Sequence, residues 1–251
     1  MKTTRHVDYD DPQNRSNAEC SSVSVILIVR NGQALIAEAL DSVFQSTIKP
    51  AEILAVDGGS TDRTVEIAQS FPLVRVIHQT STGIPQAYNE GIGQARGEFV
   101  AFISHDDLWA PGKLDKQIAY MRRNPNVLYT VGMVQYVLVP GTTIPPSFRR
   151  ELLERPYPGM MMETLIARKR VFPLVGGFDP EFSISEDADW FARAQDANIE
   201  MAVLPDVVLY KRIHGANATL TDPRFNEMLL RALRRSVMRK KALAGGSGGV
   251  R

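Results

Sequence analysis

Val23-Ser24-Val25-Ile26-Leu27-Ile28-Val29, followed at once by Arg30-Asn31-Gly32, is the stretch that decides the fold class. Its length suits a strand, and it is nearly continuously apolar instead of alternating, as a parallel strand covered on both faces requires. Asn31-Gly32 breaks the run. Ile36, Leu40, Val43 and Phe44 then recur at helical spacing, and beyond Pro50 comes a second apolar run, Ile53-Leu54-Ala55-Val56. Strand, helix and strand in this order form a βαβ unit, so the chain reads as α/β with a mainly parallel sheet flanked by helices.

The pattern continues outward. After Val56 comes Asp57-Gly58-Gly59-Ser60-Thr61-Asp62, then a helix through Val65, Ile67 and Ala68, a third strand at Val74 to Ile77, and Ser81-Thr82-Gly83 before a helix ending near Gly97. Glycines at such turns let the backbone come close to a ligand, and a helix start beyond them favours anionic groups. A fourth strand, Phe99 to Ile103, delivers Ser104-His105-Asp106-Asp107. Asp57 and the acid pair therefore both leave carboxyl ends of strands, where open α/β sheets place their ligands. Adjacent carboxylates repel; a hard divalent cation such as Mg²⁺ or Mn²⁺ relieves that repulsion, and so does a solvated turn. Gly91-Ile92-Gly93-Gln94-Ala95-Arg96-Gly97 imitates a dinucleotide fingerprint, but these glycines finish a helix and precede a strand, the wrong order for a phosphate loop.

Leu114, Ile118 and Met121 predict a helix from Lys113, stopped by Asn124-Pro125, and Val127 to Val139 is strand-like. Prolines at 140, 145, 146, 156 and 158 make Pro140 to Gly159 an irregular insertion, either shaping a second substrate's site or forming a surface loop. Ser185-Glu186-Asp187-Ala188-Asp189 opens another helix. Acids in a first turn serve the helix dipole, or one of them is a general base. Near the C-terminus Phe225, Leu229, Ala232, Leu233 and Ser236 share one helical face and Arg224, Arg231, Arg235 and Arg239 another, a basic amphipathic helix that packs with its charges solvated or meets anionic lipid or an acidic partner.

With 251 residues, 44% of them hydrophobic, the chain is long enough to bury a substantial core. A net charge of +1 gives no global reason to expect nucleic acid. The single cysteine, Cys20, excludes an internal disulfide. No apolar run reaches membrane-spanning length, and residues 1 to 22 read as a polar, flexible leader without an apolar signal segment. A cytoplasmic protein is expected, with peripheral contact at the inner membrane face open to the C-terminal helix.

Val23 to Asn31, Val56 to Asp62, Ser104 to Asp107, Glu186-Asp187, and Arg212-Ile213-His214-Gly215 with Asn217 behind it, in this order, resemble the inverting, metal-dependent glycosyltransferases of family 2, over roughly Val23 to Leu220. The resemblance implies a GT-A fold, a Rossmann-like mixed and mainly parallel sheet, at residues 23–222, followed by a helical extension at 223–251. It implies a nucleotide-sugar donor, first of all a UDP-sugar, bound by Val29, Asn31, Asp57, Gly58, Gly83 and Asp106. Asp57 would accept from the imide N–H of the base. Mg²⁺ or Mn²⁺ would be held by Asp106, Asp107 and His214. Asp187 would be the catalytic base, with Glu186 supporting it. Ser104 departs from the family pattern, which has an aspartate there, Gly58 replaces a second acid, and Tyr88 stands where an arginine is frequent before Asn89. His105 is read as a surface residue, and Trp109 and Trp190 as core or pocket-wall aromatics. The acceptor is left open among glycan, lipid-linked sugar, peptide and metabolite. Two other readings are a nucleotidyltransferase on a related scaffold and a non-catalytic nucleotide-sugar-binding or assembly subunit.

Overall fold

The structure, a computed structural model, describes residues 22–144, 148–215 and 217–246. All but the last residue of the expected leader, and the tail beyond Gly246, lie outside them. In chain order the elements are β1 (Val23–Val29), α1 (Ile36–Val43), β2 (Glu52–Asp57), α2 (Thr64–Gln69), β3 (Val74–His78), α3 (Ile84–Gln94), β4 (Phe99–Ser104), β5 (Leu108–Trp109), α4 (Lys113–Arg123) and β6 (Tyr129–Leu138). Then follow β7 (Tyr157–Pro158), β8 (Ile166–Arg168), α5 (Val171–Val175), α6 (Glu186–Asp196), β9 (Met201–Ile213), α7 (Ala218–Thr221) and α8 (Phe225–Gly246), with short 3₁₀ turns at Arg150–Leu153 and Met162–Thr164.

One sheet runs in the order β3-β2-β1-β4-β8-β6-β9-β5, with β7 on the side of β6. β1 lies between β2 and β4, parallel to both. Its successive residues point to opposite faces, and both faces are covered. Val25 and Leu27 pack with Ile36, Leu40, Leu114 and Ile118 on one side, while Ile26 meets Ala87, Tyr88 and Ile92 on the other. Double burial explains the missing alternation in this strand. The two tryptophans are buried as expected, Trp109 donating from Nε1 to Phe102 O at 3.0 Å.

Register fixes where the loops emerge. Val29 pairs with Asp57 and Ile28 with Ser104, so the carboxyl ends of β1, β2 and β4 are level and their loops share one edge. Gly91 and Gly93 lie inside α3, so the apparent fingerprint is no phosphate loop. Gly97 serves closeness of chain instead: a Cβ there would stand 2.6 Å from both Ser22 O and Ser24 N.

The second half of the sheet departs from a simple βα repeat. β9 runs parallel to β6, and the two-residue β5 pairs antiparallel with β9, Leu108 opposite Tyr210. That pairing carries the Asp106-Asp107 loop to Lys211 and Arg212. The expected irregular insertion is partly ordered, since Val134 and Met133 pair with Tyr157 and Pro158.

α8 corrects the expectation of a solvated basic face. Arg231, Arg235 and Arg239, one turn apart, point inward onto acids. Arg231 reaches Glu181 at 2.8 Å, Arg235 reaches Asp179 at 2.8 Å, and Arg239 reaches Asp196 at 2.7 Å. Arg231 and Arg235 also lie over the Phe182 ring. Ala232 and Ser236 are buried between them as predicted, but Leu233 is turned out. The row of acids around α6 outcompetes a purely apolar docking face, because an arginine covers apolar surface with its stem while its head stays paired.

Candidate active site

A cavity of about 1100 Å³ opens at the shared strand edge. Val29, Gly58, Gly83, Asp106, Glu186 and Asp187 line it, and α6 and the strands of both half-sheets form its walls. Four other sequence-predicted residues, Asn31, Asp57, Asp107 and His214, do not line it, and of these His214 still meets the cavity residue Asp106.

Asn31 and Asp57 do not line the cavity; they clasp two loops beneath it. Asn31 adopts a left-handed φ of 52°, its N–H donating to Ser60 Oγ and its Oδ1 accepting from the Thr61 N–H, both at 2.9 Å. The buried carboxylate of Asp57 accepts the Ser60 N–H at 3.1 Å. Asp107 is the third of these. It is fully buried, one oxygen accepting from Lys211 Nζ at 2.7 Å and the other from the Arg212 N–H at 3.0 Å. Its lone pairs are spent inside the protein because β5 turns it toward β9. Among the described residues no group of three His, Cys, Asp or Glu side chains is arranged to hold a metal.

Asp106 differs from its neighbour. Its Oδ2 is 3.1 Å from His214 Nε2, and its backbone oxygen accepts from Arg212 Nε at 2.5 Å. Burial disfavours its charge, but the His214 hydrogen bond and the nearby Lys211 outweigh that and hold its carboxyl well below the usual range. Asn217 sharpens the picture: its Oδ1 accepts the His214 N–H at 2.7 Å and its Nδ2 donates to Arg212 O at 3.0 Å, which fixes the amide's orientation. The same Nδ2 stands 3.1 Å from His214 Nε2. Nε2 either donates to Asp106 or, as the other tautomer, offers its one lone pair to the Asn217 amide or to a cation. The 3.1 Å separation of Nε2 and Asp106 Oδ2 suits adjacent ligands of one octahedral ion, which lie about 3 Å apart for bonds near 2.1 Å. The residues therefore fit a divalent ion with two protein donors, Asp106 and His214, the remaining positions being of the kind Mg²⁺ leaves to water and phosphate.

Across the cavity, Ser185 opens α6 in the left-handed region, φ 80°, a strained conformation for a non-glycine that directs Glu186 and Asp187 into the site. Burial raises the Asp187 carboxyl to about 6, with repulsion from Glu163 adding to it and the Ala188 N–H, at 2.7 Å, opposing it. Burial and then the charge of Asp187 push Glu186 well above the ordinary glutamate range. The two carboxyls thus disfavour charge on one another, Glu186 the more strongly shifted of the pair.

Glu163, Lys211 and Arg212 complete the site and were not assigned roles from the sequence. Glu163, in the Met162–Thr164 turn, accepts from Ser104 Oγ at 2.6 Å, so a carboxylate reaches the position where Ser104 replaces an acid. Lys211 lies 3.6 Å from Glu163. Burial opposes its charge, yet Asp107, Glu163 and Asp106 keep it protonated well above the usual lysine range. Arg212 ties the acid loop to α1 through Glu38 and Leu35 O. The signal that marks these residues is charge interrupting an apolar run, Glu163 after Met160-Met161-Met162 and the pair Lys211-Arg212 between Val207-Val208-Leu209-Tyr210 and Ile213. His105 also differs from expectation: it lines the cavity, and a Cβ on Gly32 would come 2.5 Å from its ring.

The described residues contain no helix long and apolar enough to cross a membrane. Among curated proteins the chain is 29% identical over 223 residues to an uncharacterized glycosyltransferase of Rickettsia typhi, covering 82% of this chain and 69% of that one. It is 30% identical over 212 residues to an uncharacterized protein of Mycobacterium tuberculosis, covering 77% and 59%. Among solved structures, S. aureus TarS 1-349 in complex with UDP superposes with a TM-score of 0.64 at 22% identity, and the same protein in complex with UDP-GlcNAc with 0.66 at 21%. These cover 86% and 87% of this chain but 65% and 66% of TarS 1-349, so the chain spans about two thirds of that structure. At this identity they establish the fold, a GT-A α/β sheet with a C-terminal helix. The family model of glycosyl transferase family 2 matches residues 24–178, well over half of the chain, and the protein belongs to that family.

Proposed function

We propose that this protein transfers a sugar from a nucleotide-sugar donor, a UDP-sugar, to a nucleophilic acceptor by single displacement with inversion. The observation that carries this reading is a pair of carboxylates with opposite electrostatic states on one cavity: Asp106 held ionised, Asp187 raised to about 6. Environments that drive two acids apart assign them different tasks. The UDP and UDP-GlcNAc complexes of TarS support the donor class.

Val29, Gly58 and Gly83 form the wall for the donor, the two glycines allowing backbone approach, while Asp57 and Asn31 hold the loops that carry it. Asp106 and His214 would hold Mg²⁺ or Mn²⁺, which supplies positive charge where the diphosphate leaves. Asp187 Oδ takes the proton of the acceptor's nucleophilic atom as that atom bonds to the anomeric carbon; the sugar–phosphate C–O bond breaks, and its electron pair leaves with the nucleotide. Glu186, the more strongly shifted of the pair, leaves the negative charge to Asp187. Lys211 and Glu163 fix the floor between the two carboxylates.

Calorimetric titration of UDP, GDP and dTDP, each with and without Mn²⁺, tests the reading. Metal-dependent binding of UDP in the wild type, lost in Asp106→Ala, is expected. Absence of binding by all three nucleotides would overturn it.

A further inference from the structure

The face of α8 that points away from the domain is apolar. Leu230, Leu233, Val237 and Met238 are 53%, 52%, 52% and 68% exposed, and their spacing of three, seven and eight residues places them on one stripe. Arg234 and Lys241 are exposed on the same turns. The inward basic residues already have acidic partners in Asp179, Glu181 and Asp196, so the outer ones are charge in excess. No Asp or Glu occurs in the sequence after Glu227. Over about 17 Å of helix this face therefore combines apolar side chains with uncompensated positive charge.

We propose that the outer face of α8 docks on an anionic lipid surface. Leu230, Leu233, Val237 and Met238 enter the acyl boundary, while Arg234 and Lys241, interleaved with them on the same face, extend their long stems so that their charges reach headgroup level. A second copy of the chain is a poorer occupant, because pairing two such faces brings Arg234 and Lys241 of both copies together without an acid on either side. The first turn of the same helix contributes Phe225 and Leu229 to the cavity wall, so docking surface and cavity belong to one rigid element. The inference does not rest on the sugar-transfer reading.

Flotation of the full chain with phosphatidylcholine vesicles, with and without phosphatidylglycerol, tests it. The wild type is expected to float with anionic vesicles only, and less as salt rises. Leu233→Asn with Val237→Asn should abolish flotation, and Arg234→Gln with Lys241→Gln should weaken binding on the order of fivefold per charge. All four positions are exposed, and circular dichroism and thermal unfolding confirm that the variants fold. Failure of the wild type to bind anionic vesicles, or binding of both variants like wild type, overturns the proposal. So does a wild-type dimer that Leu233→Asn with Val237→Asn dissociates without any vesicle binding, which would assign the face to self-association. Because no step reads turnover, failure here leaves the proposed chemistry standing.

Discussion

Asp187→Asn is the perturbation that separates chemistry from binding. The substitution keeps the size of the side chain and an oxygen to accept the Ala188 N–H at 2.7 Å, so α6 has no reason to shift. What it removes is the basic lone pair. A positioned general base contributes about 10²–10⁴ in rate, or roughly 3–5 kcal/mol of transition-state stabilisation. With its carboxyl at about 6, Asp187 is about nine-tenths ionised at pH 7 and about one-tenth at pH 5. Base catalysis needs the ionised form, so wild-type kcat/KM should fall about tenfold between those values as pH drops, while the variant's small residual rate loses this limb. Release of UDP from a UDP-sugar, measured at saturating Mn²⁺ across that range, reads both effects, and calorimetry with UDP should give unchanged affinity. A variant that turns over within about threefold of wild type, or a wild-type profile that is flat through pH 6, would refute the assignment of Asp187.

Glu163→Gln should move the acid limb of the wild-type profile to lower pH. Repulsion by Glu163 stands next after burial among the causes that raise Asp187, and without it the base is ionised further down the scale; an unmoved limb would show that Glu163 does not act on Asp187. Lys211→Met should destabilise the fold by about 3–5 kcal/mol, because it leaves the fully buried Asp107 without its cation. For a chain of this size that is a loss of roughly 10 °C in Tm, and a change of less than about 2 °C would mean that the pair contributes little.

Much of the site was legible because it sits on strand ends. β1, β2 and β4 are doubly covered, so their apolar runs are continuous and end where the chain must turn to solvent. Asp57, Asp106 and the acids of α6 stand at such ends or at a helix start, and the placement of Val29, Gly58 and Asp106 on one cavity follows from level register, while the start of α6 brings Glu186 and Asp187 to it. Glu163 and Lys211 were not assigned because their partners, Ser104 and Asp107, are distant in sequence.

By itself the sequence determined the α/β class, the order of the first four strands, the helix opened by Glu186-Asp187 and the identity of the acids; these are local properties of apolar periodicity and turn chemistry. Tertiary structure decided which of two adjacent aspartates faces the cavity. Both follow β4 with the same local propensity, but the antiparallel pairing of Leu108 with Tyr210 turns Asp107 onto Lys211 and leaves Asp106 to His214. It decided, too, that the arginines of α8 point inward, since helical spacing defines two faces but only the acids around α6 determine which of them is attractive. Side-chain orientation of this kind is a long-range electrostatic outcome, and no window of neighbouring residues contains it.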